Sequence, residues 1–338
     1  MQAMRRFLKN FTPFFCLCLM SLGAGCSQTV HAGVTSDIVV RPALQAHVSP
    51  AAIPLGFVTS HGTSFWNAAQ RGARAGCRSQ QGANVCFLMP GMLTAEEQKQ
   101  EINMLLAQGV RGLAVSPIDE KAENRCLNDA AGKSALITLD NDAPQSNRIC
   151  FIGTDNFAGG VATAKMLRSA LPAGGAVMVL VGSMSAQTAI DRLRGLRYGL
   201  IGSHIRYSGV LTDNTDPAMA TANALFILRH FPEVKGLVGL WGYDGPSILR
   251  AVRREHKTGV VRIVCWEAEP ETIAGIRSGA IYGTIEQQPY QFGVLSVKYL
   301  TRAVRGDKSW VPRSRRIYVP VKPVTKANID TANLGDSI

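Results

Sequence analysis

Apolar runs of five to seven residues recur along the chain. Between them lie longer stretches in which apolar residues return every three or four positions. The runs fall near 53–59, 84–89, 111–116, 135–139 and 149–153, and again near 176–181, 206–211, 236–241, 260–265 and 281–285. Short continuous apolar runs suit strands buried on both faces, and the longer period suits helices packed on a sheet. Helices are expected near 64–76, 94–108, 119–131, 156–170, 187–202, 217–230, 245–256 and 269–278. In the second of these, Gln98, Ile102, Leu105 and Leu106 share one face, while Gly109, Gly174-Gly175 and Gly279 stand where helices must stop. Alternation of this kind predicts parallel sheets flanked by helices, here a five-strand doubly wound plan written twice.

A coda follows Gln287: a helix over Pro289–Ala303, with Phe292, Leu295, Val297 and Leu300, and a last strand over Ile317–Val321. It suggests that the chain returns to its first half before finishing in the second. The expected fold is therefore α/β, with two doubly wound parallel-sheet lobes. One is built from 52–155 plus 288–315, the other from 156–287 plus 316–330, and 331–338 forms a tail. Several crossings make a hinge, and a hinge between lobes makes a cleft that closes.

The first 26 residues read as an address. Arg5, Arg6 and Lys9 precede an uncharged apolar stretch, Phe11–Gly25. That stretch is shorter than the ~20 residues a membrane span needs, which fits an export signal. Leu22-Gly23-Ala24-Gly25-Cys26 resembles a lipobox that would leave Cys26 lipidated, although Gly23 stands where an aliphatic residue is usual. Cleavage after Val30-His31-Ala32 is the alternative, and an uncleaved anchor a third. Residues 27–51 lack periodicity and read as a flexible tether.

The formal charge of +12 becomes +9 without Arg5, Arg6 and Lys9. Much of the excess lies late, in Arg302, Arg305, Lys308, Arg313, Arg315, Arg316, Lys322 and Lys326. With no interleaved aromatics or recognised motif, this reads as a solvated basic face rather than a nucleic-acid site. Five cysteines remain outside the signal and lipobox: Cys77, Cys86, Cys126, Cys150 and Cys265. Export permits Cys77–Cys86 and Cys126–Cys150 disulfides, with buried free thiols as the alternative.

Chemistry-bearing residues cluster just past the strand runs. Ser60, His61, Phe65 and Trp66 follow the first run, and Asp140 and Asn141 the fourth; Gly182 and Ser183 follow the sixth. Trp241, Tyr243 and Asp244 come after the eighth, and Trp266 and Glu267 after the ninth. Open parallel sheets bind ligands at this rim. It carries aromatics, carboxylates and amides, with no G-x-S-x-G, P-loop, H-E-x-x-H or G-x-G-x-x-G motif and no ligand spacing among the six histidines. The residues therefore point to a binder of a small polar molecule, with neither enzymatic turnover nor a cofactor or metal expected.

Six segments in order carry a family resemblance. They are Leu55-Gly56-Phe57-Val58-Thr59-Ser60 with Phe65-Trp66; Ile137-Thr138-Leu139-Asp140-Asn141-Asp142; Ile152-Gly153-Thr154-Asp155-Asn156 with Gly159-Gly160; Arg192-Leu193-Arg194-Gly195; Tyr243-Asp244-Gly245; and Thr284-Ile285-Glu286-Gln287-Gln288-Pro289. From Ile53 to Asp330, about four-fifths of the sequence, the chain resembles the ribose-binding branch of periplasmic substrate-binding proteins of ABC transporters.

The resemblance implies a monomer of two lobes joined by three crossings that shut on a sugar or related polyol. Its partner would be an ABC permease, with membrane attachment through Cys26. Phe65 and Trp66 would sandwich the sugar ring, or pack as an ordinary helix start. Asp140 would accept from hydroxyls, or cap a turn. Arg192 would donate from the second lobe, or pair with Asp191. Gln287 would contact ligand from a crossing, or simply lie exposed in the hinge.

Four positions depart from the family pattern. Asn141 stands where an arginine is common, Thr63 where an asparagine is frequent, and Tyr243 and Glu267 where asparagine and aspartate are usual. These changes put ribose itself in doubt. Trp241 and Trp266 would enlarge an aromatic box or pack in the second lobe. The other roles open to such a body are reporting ligand to a chemoreceptor or sensor kinase, and transcriptional regulation. The export signal and the lack of N-terminal DNA-binding helices argue against the latter.

Overall fold

The computed structural model describes residues 52–334, except 61, 62, 81, 92, 93 and 333. The expected signal, Cys26, the tether, His61 and most of the tail lie outside the described residues.

The first lobe begins β1 (Ile53–Val58), α1 (Ser64–Ser79), β2 (Ala83–Leu88), α2 (Ala95–Ala107), β3 (Gly112–Val115), α3 (Glu120–Lys133), β4 (Ala135–Leu139) and β5 (Cys150–Gly153). The second repeats the plan with α4 (Asn156–Ala170), β6 (Gly175–Val181), α5 (Gln187–Gly199), β7 (Ile205–Thr212), α6 (Pro217–His230), β8 (Val234–Gly239), α7 (Asp244–Arg254), β9 (Arg262–Trp266), α8 (Pro270–Ser278) and β10 (Gly283–Glu286). The coda is α9 (Pro289–Val304), β11 (Arg316–Tyr318) and β12 (Lys322–Thr325).

Most helix starts are written locally. Thr94, Asp119, Asp155 and Asp216 each accept a backbone N–H of the following turn, which satisfies an orphan donor. Pro217, Pro270 and Pro289 occupy first helical positions, where no N–H is needed. α1 and α5 are different: neither N-cap residue, Thr63 or Ala186, makes a side-chain cap bond, and neither first turn holds an acid.

The two sheets have matching strand orders, β2-β1-β3-β4-β5-β11 and β7-β6-β8-β9-β10-β12. All pairings are parallel except β10 with β12, where Thr284 lies opposite Val324. Each sheet is covered on both faces. Phe57, Ile137, Trp66 and Phe292 fill one side of the first sheet, and Ile102, Leu105, Leu113 and Leu127 the other. Val179, Leu196, Ala164 and Trp266 lie on one side of the second sheet, with Leu180, Ile227, Ile248 and Ile263 opposite. Burying each Val, Leu, Ile or Phe among them contributes roughly 1.5–3 kcal/mol, and the continuous apolar runs follow from two-sided burial.

The coda shows one departure from expectation. The single strand expected over Ile317–Val321 is two. Arg316–Tyr318 pairs in parallel with β5 in the first sheet, and the chain then passes Pro320 and enters the second sheet as β12. Pro320 offers no backbone donor to a ladder, so the strand breaks there. Residues 316–318 thus belong with the first sheet, not with the second lobe. The chain passes between sheets after β5, after β10 and after β11. The described cysteines are all free thiols, which removes the Cys77–Cys86 and Cys126–Cys150 pairings.

Two glycine motifs of the sequence have a packing role. A Cβ on Gly160 of α4 would strike the backbone of Arg192, and one on Gly195 of α5 would strike that of Phe157. These glycines let α4 and α5 lie backbone to backbone, which sets where Arg192 stands.

Candidate ligand-binding cleft

Asp140 and Glu267 occupy equivalent places in the two lobes. Asp140 follows β4 and Glu267 follows β9, the fourth strand in the order of each sheet. Each donates its backbone N–H to the adjacent strand, Asp140 to Ile152 O and Glu267 to Ile285 O, both at 3.0 Å. Each also takes a left-handed backbone, with φ of 63° and 66°. That conformation is uncommon for residues with a side chain and gathers at functional sites.

Arg192 stands between them electrostatically. Burial holds its guanidinium below the ordinary arginine range, partly offset by Glu267, Asp140 and Asp244. Its Nε donates to Asn156 Oδ1 at 2.8 Å and Nη1 to Leu240 O at 2.6 Å. Its plane lies 3.8 Å from the Trp266 ring centre. Trp266 is itself fixed by Nε1 donating to Thr163 Oγ1 at 3.0 Å. The arginine is therefore held by its own lobe rather than by an Asp191 pair; Asp191 bonds Arg194 instead.

Gln287, in the second crossing, is 4% exposed and donates Nε2 to Glu267 Oε1. Its Oε1 is buried with no hydrogen-bond partner. Burial pushes Glu267 well above the usual carboxyl range; Glu286 raises it further, while Arg192 and Gln287 oppose the shift. Burial pushes Asp140 up to about 6, with Arg192 pulling the other way. Asp140 has no side-chain hydrogen bond or ion pair among the described residues, and it is half-buried.

The lobes touch directly through two residues that the sequence reading passed over. Ser64 Oγ, at the start of α1, donates to Glu269 Oε1 at 2.5 Å. Glu269 opens α8 yet makes no cap bond to its own helix. It supplies the negative charge that the N-terminus of α1 otherwise lacks, where the helix dipole favours an anion. A capped helix leaves a readable local signal; a cap supplied from 205 residues away leaves none.

The other expected site residues are placed unevenly. Phe65 is half-buried beside this contact, edge-on to Trp66 at 5.0 Å and to Phe292 at 5.9 Å. Thr63 is half-buried at the same helix start, and Asn141 is half-buried after Asp140. Trp66 is 1% exposed and packed in the first-lobe core, so it backs Phe65 rather than lining a cleft. Tyr243 gives its hydroxyl to Asp213 Oδ1 at 2.5 Å and packs against the second-lobe core. Asp213 and Asp244, both fully buried, interact with each other as a carboxyl pair and are pushed up chiefly by burial. A hollow of about 400 Å³ bordered by Arg111, Lys133 and Lys308 lies at the opposite, amino ends of β3–β5 and is a separate feature.

A family model described as periplasmic binding protein domain matches residues 55–308. The chain belongs to the periplasmic binding protein family. Its relatives include the ribose import binding protein RbsB of Haemophilus influenzae, 26% identical over 213 residues, which span 61% of this chain and 70% of that protein. An ABC transporter solute-binding protein of Burkholderia graminis, solved with D-arabinose, superposes with a TM-score of 0.78 at 24% identity, covering 84% of this chain and 99% of its own. A chain of the XylFII–LytSN complex superposes with a TM-score of 0.73 at 22% identity, covering 82% of this chain and 99% of its own. The two-lobed fold with repeated sheets is that of type I periplasmic binding proteins. In this family member Asp140 and Glu267 each bear electrostatically on Arg192, and Gln287 bonds Glu267.

Proposed function

We propose that this periplasmic binding protein is exported, anchored to a membrane through a lipid on Cys26, and captures a sugar or related polyol as a monomer. Closure of the two lobes traps the ligand, and the closed form hands it to an ABC permease. The reading rests on one observation: carboxylates at matching strand ends of the two lobes, Asp140 and Glu267, act on one buried guanidinium. Hydroxyl groups both donate and accept, so a polyol can satisfy the carboxylates and Arg192 together. Phe65 offers an apolar face to a sugar's C–H surface. The ribose- and arabinose-binding relatives support this ligand class.

Ligand that binds the closed form better shifts the open–closed balance by its differential affinity. The Ser64–Glu269 bond exists only when the lobes meet, so it favours the same closed form. No step in this scheme changes a covalent bond, and the protein acts as a binder. Among the described residues no helix is long and apolar enough to cross a membrane, so attachment falls to the N-terminal segment.

Calorimetric titration with pentoses, hexoses and polyols tests the ligand class; saturable binding of one of them is expected, and binding only of amino acids or nucleosides would overturn it. Fractionation of Cys26→Ser tests the anchor: the variant leaves the membrane fraction if Cys26 is lipidated. A second reading, delivery of the ligand signal to a sensor protein, is favoured by the likeness to the XylFII–LytSN complex. Co-purification with a permease or with a sensor domain separates the two.

A further inference from the structure

The amino ends of the first sheet form a face of their own, opposite the cleft. β1, β3, β4 and β5 run parallel with their starts in line: Leu55 lies beside Gly112, Gly112 beside Ala135, and Ile137 beside Cys150. Backbone bonds tie those starts together. Arg111 N–H donates to Pro54 O and Ala135 N–H to Arg111 O, both at 2.9 Å. The hollow of about 400 Å³ opens here, bordered by three cations, Arg111, Lys133 and Lys308, and by no acid. All three are exposed, and none has a side-chain hydrogen bond or ion pair among the described residues. The connection that supplies Lys308 holds six cations to one acid between residues 302 and 316, and that acid, Asp307, is paired with Arg302 at 2.8 Å.

Cations in the last turn of a helix are ordinary, because the helix dipole favours them there. Arg78, Lys133 and Arg302 are of that kind. Arg111, Lys308 and Arg313 stand outside any helix, in the connections between elements. Like charges gathered on one face repel one another, and an anionic partner relieves that repulsion. Where the chain enters says which partner. β1 starts at Ile53 beside Arg111, so the preceding segment joins the body on this face. Residues 27–51 number 25 and span at most about 90 Å, so a lipid on Cys26 keeps this end of the body near the bilayer. A nucleic acid fits less well. Trp310, in the same connection, is stacked on Tyr299 at 4.5 Å with its Nε1 given to Asp307 O, and is not free to stack on a base.

We propose that this basic face seats on anionic phospholipid headgroups, with a headgroup phosphate in the hollow between Arg111, Lys133 and Lys308. The face belongs to one sheet, so seating it fixes how the first lobe lies on the membrane and leaves the second lobe free to close. The choice of occupant rests on the anchored reading above.

The test is acetylation of accessible lysines in the exported, processed protein mixed with phosphatidylcholine vesicles, with or without phosphatidylglycerol. Lys133 and Lys308 should react about tenfold more slowly on the anionic vesicles than on the neutral ones. Lys235, exposed in the second lobe, should react equally on both. Each cation near an anionic surface strengthens attachment about fivefold, so Arg111→Gln should cut the protection from about tenfold to about twofold and leave sugar affinity unchanged. Equal labelling of Lys133 and Lys308 on both kinds of vesicle overturns the proposal. So does equal protection by inorganic phosphate without vesicles, which would assign the hollow to a soluble anion. A Cys26→Ser variant that keeps wild-type membrane association would remove the anchor, whereas the labelling reads the basic face with or without a lipid on the protein, so the two failures are distinct.

Discussion

The carboxylates of Asp140 and Glu267 share a topological position, a left-handed backbone and a hydrogen-bond pattern, yet their surroundings differ. Glu267 is 7% exposed, bonded by Gln287, beside Glu286, and in the same lobe as Arg192 and Trp266. Asp140 is half-buried and has no side-chain partner among the described residues. The second lobe thus carries a preassembled anchor, while the first brings a single bare carboxylate and an aromatic edge. In this account a ligand settles on the second lobe, and closure completes its shell with Asp140.

Removing Arg192 should have the largest effect, because it serves both carboxylates and also its own lobe. Arg192→Ala leaves Glu267 without its cation and strips Trp266, Asn156 and Leu240 of a partner. Ligand binding should be lost, and denaturant unfolding should show a loss of about 3 kcal/mol, the scale for breaking buried charge networks. Unchanged stability would mean that the second-lobe anchor is not prebuilt.

Asp140→Asn should separate function from stability. Ligand affinity should fall by roughly 10- to 100-fold, the scale of a charge-assisted hydrogen bond. The same change should raise the melting temperature at pH 7, because Asp140 titrates near 6 folded and near 4 unfolded. Between those values the folded protein holds a proton that the unfolded chain has released. The group's contribution to stability is therefore greatest below about pH 4 and declines as pH rises to about 6. The melting temperature at pH 7 relative to that at pH 4 should be higher in Asp140→Asn than in the wild type; an unchanged pH 4-to-7 shift would contradict the bare-carboxylate description.

Smaller effects should come from the lobe contact and from Tyr243. Ser64→Ala removes one hydrogen bond present only on closure, and should weaken ligand binding a few-fold, corresponding to about 1 kcal/mol. Tyr243→Phe should lower stability by about 1 kcal/mol through the lost Asp213 bond and leave affinity nearly unchanged. A large affinity loss in Tyr243→Phe would return that hydroxyl to the ligand.

The doubly wound plan was legible because strands buried on two faces give unbroken apolar runs, and because capping residues such as Thr94, Asp119 and Asp216 mark helix starts locally. Asp140 and Glu267 stood out by following such runs. What local sequence could not show was partnership across the fold. Nothing near Tyr243 announces that its hydroxyl meets Asp213, or that Trp66 turns into the core while Phe65 does not. Ser64 and Glu269 make their contact only in three dimensions. The final strand was misread for a related reason: Arg316–Tyr318 and Lys322–Thr325 both look like edge strands, and only the sheets they join distinguish them.

The central claim is that Asp140 completes a polyol site anchored on Arg192 and Glu267. A thermal-shift screen of pentoses, hexoses and polyols, run in parallel on the wild type and Asp140→Asn, tests it most directly, since a ligand that binds only the folded state raises the melting temperature by mass action. The account predicts a sugar that shifts the wild type by several degrees and leaves Asp140→Asn nearly unmoved. Equal shifts in both proteins would contradict it.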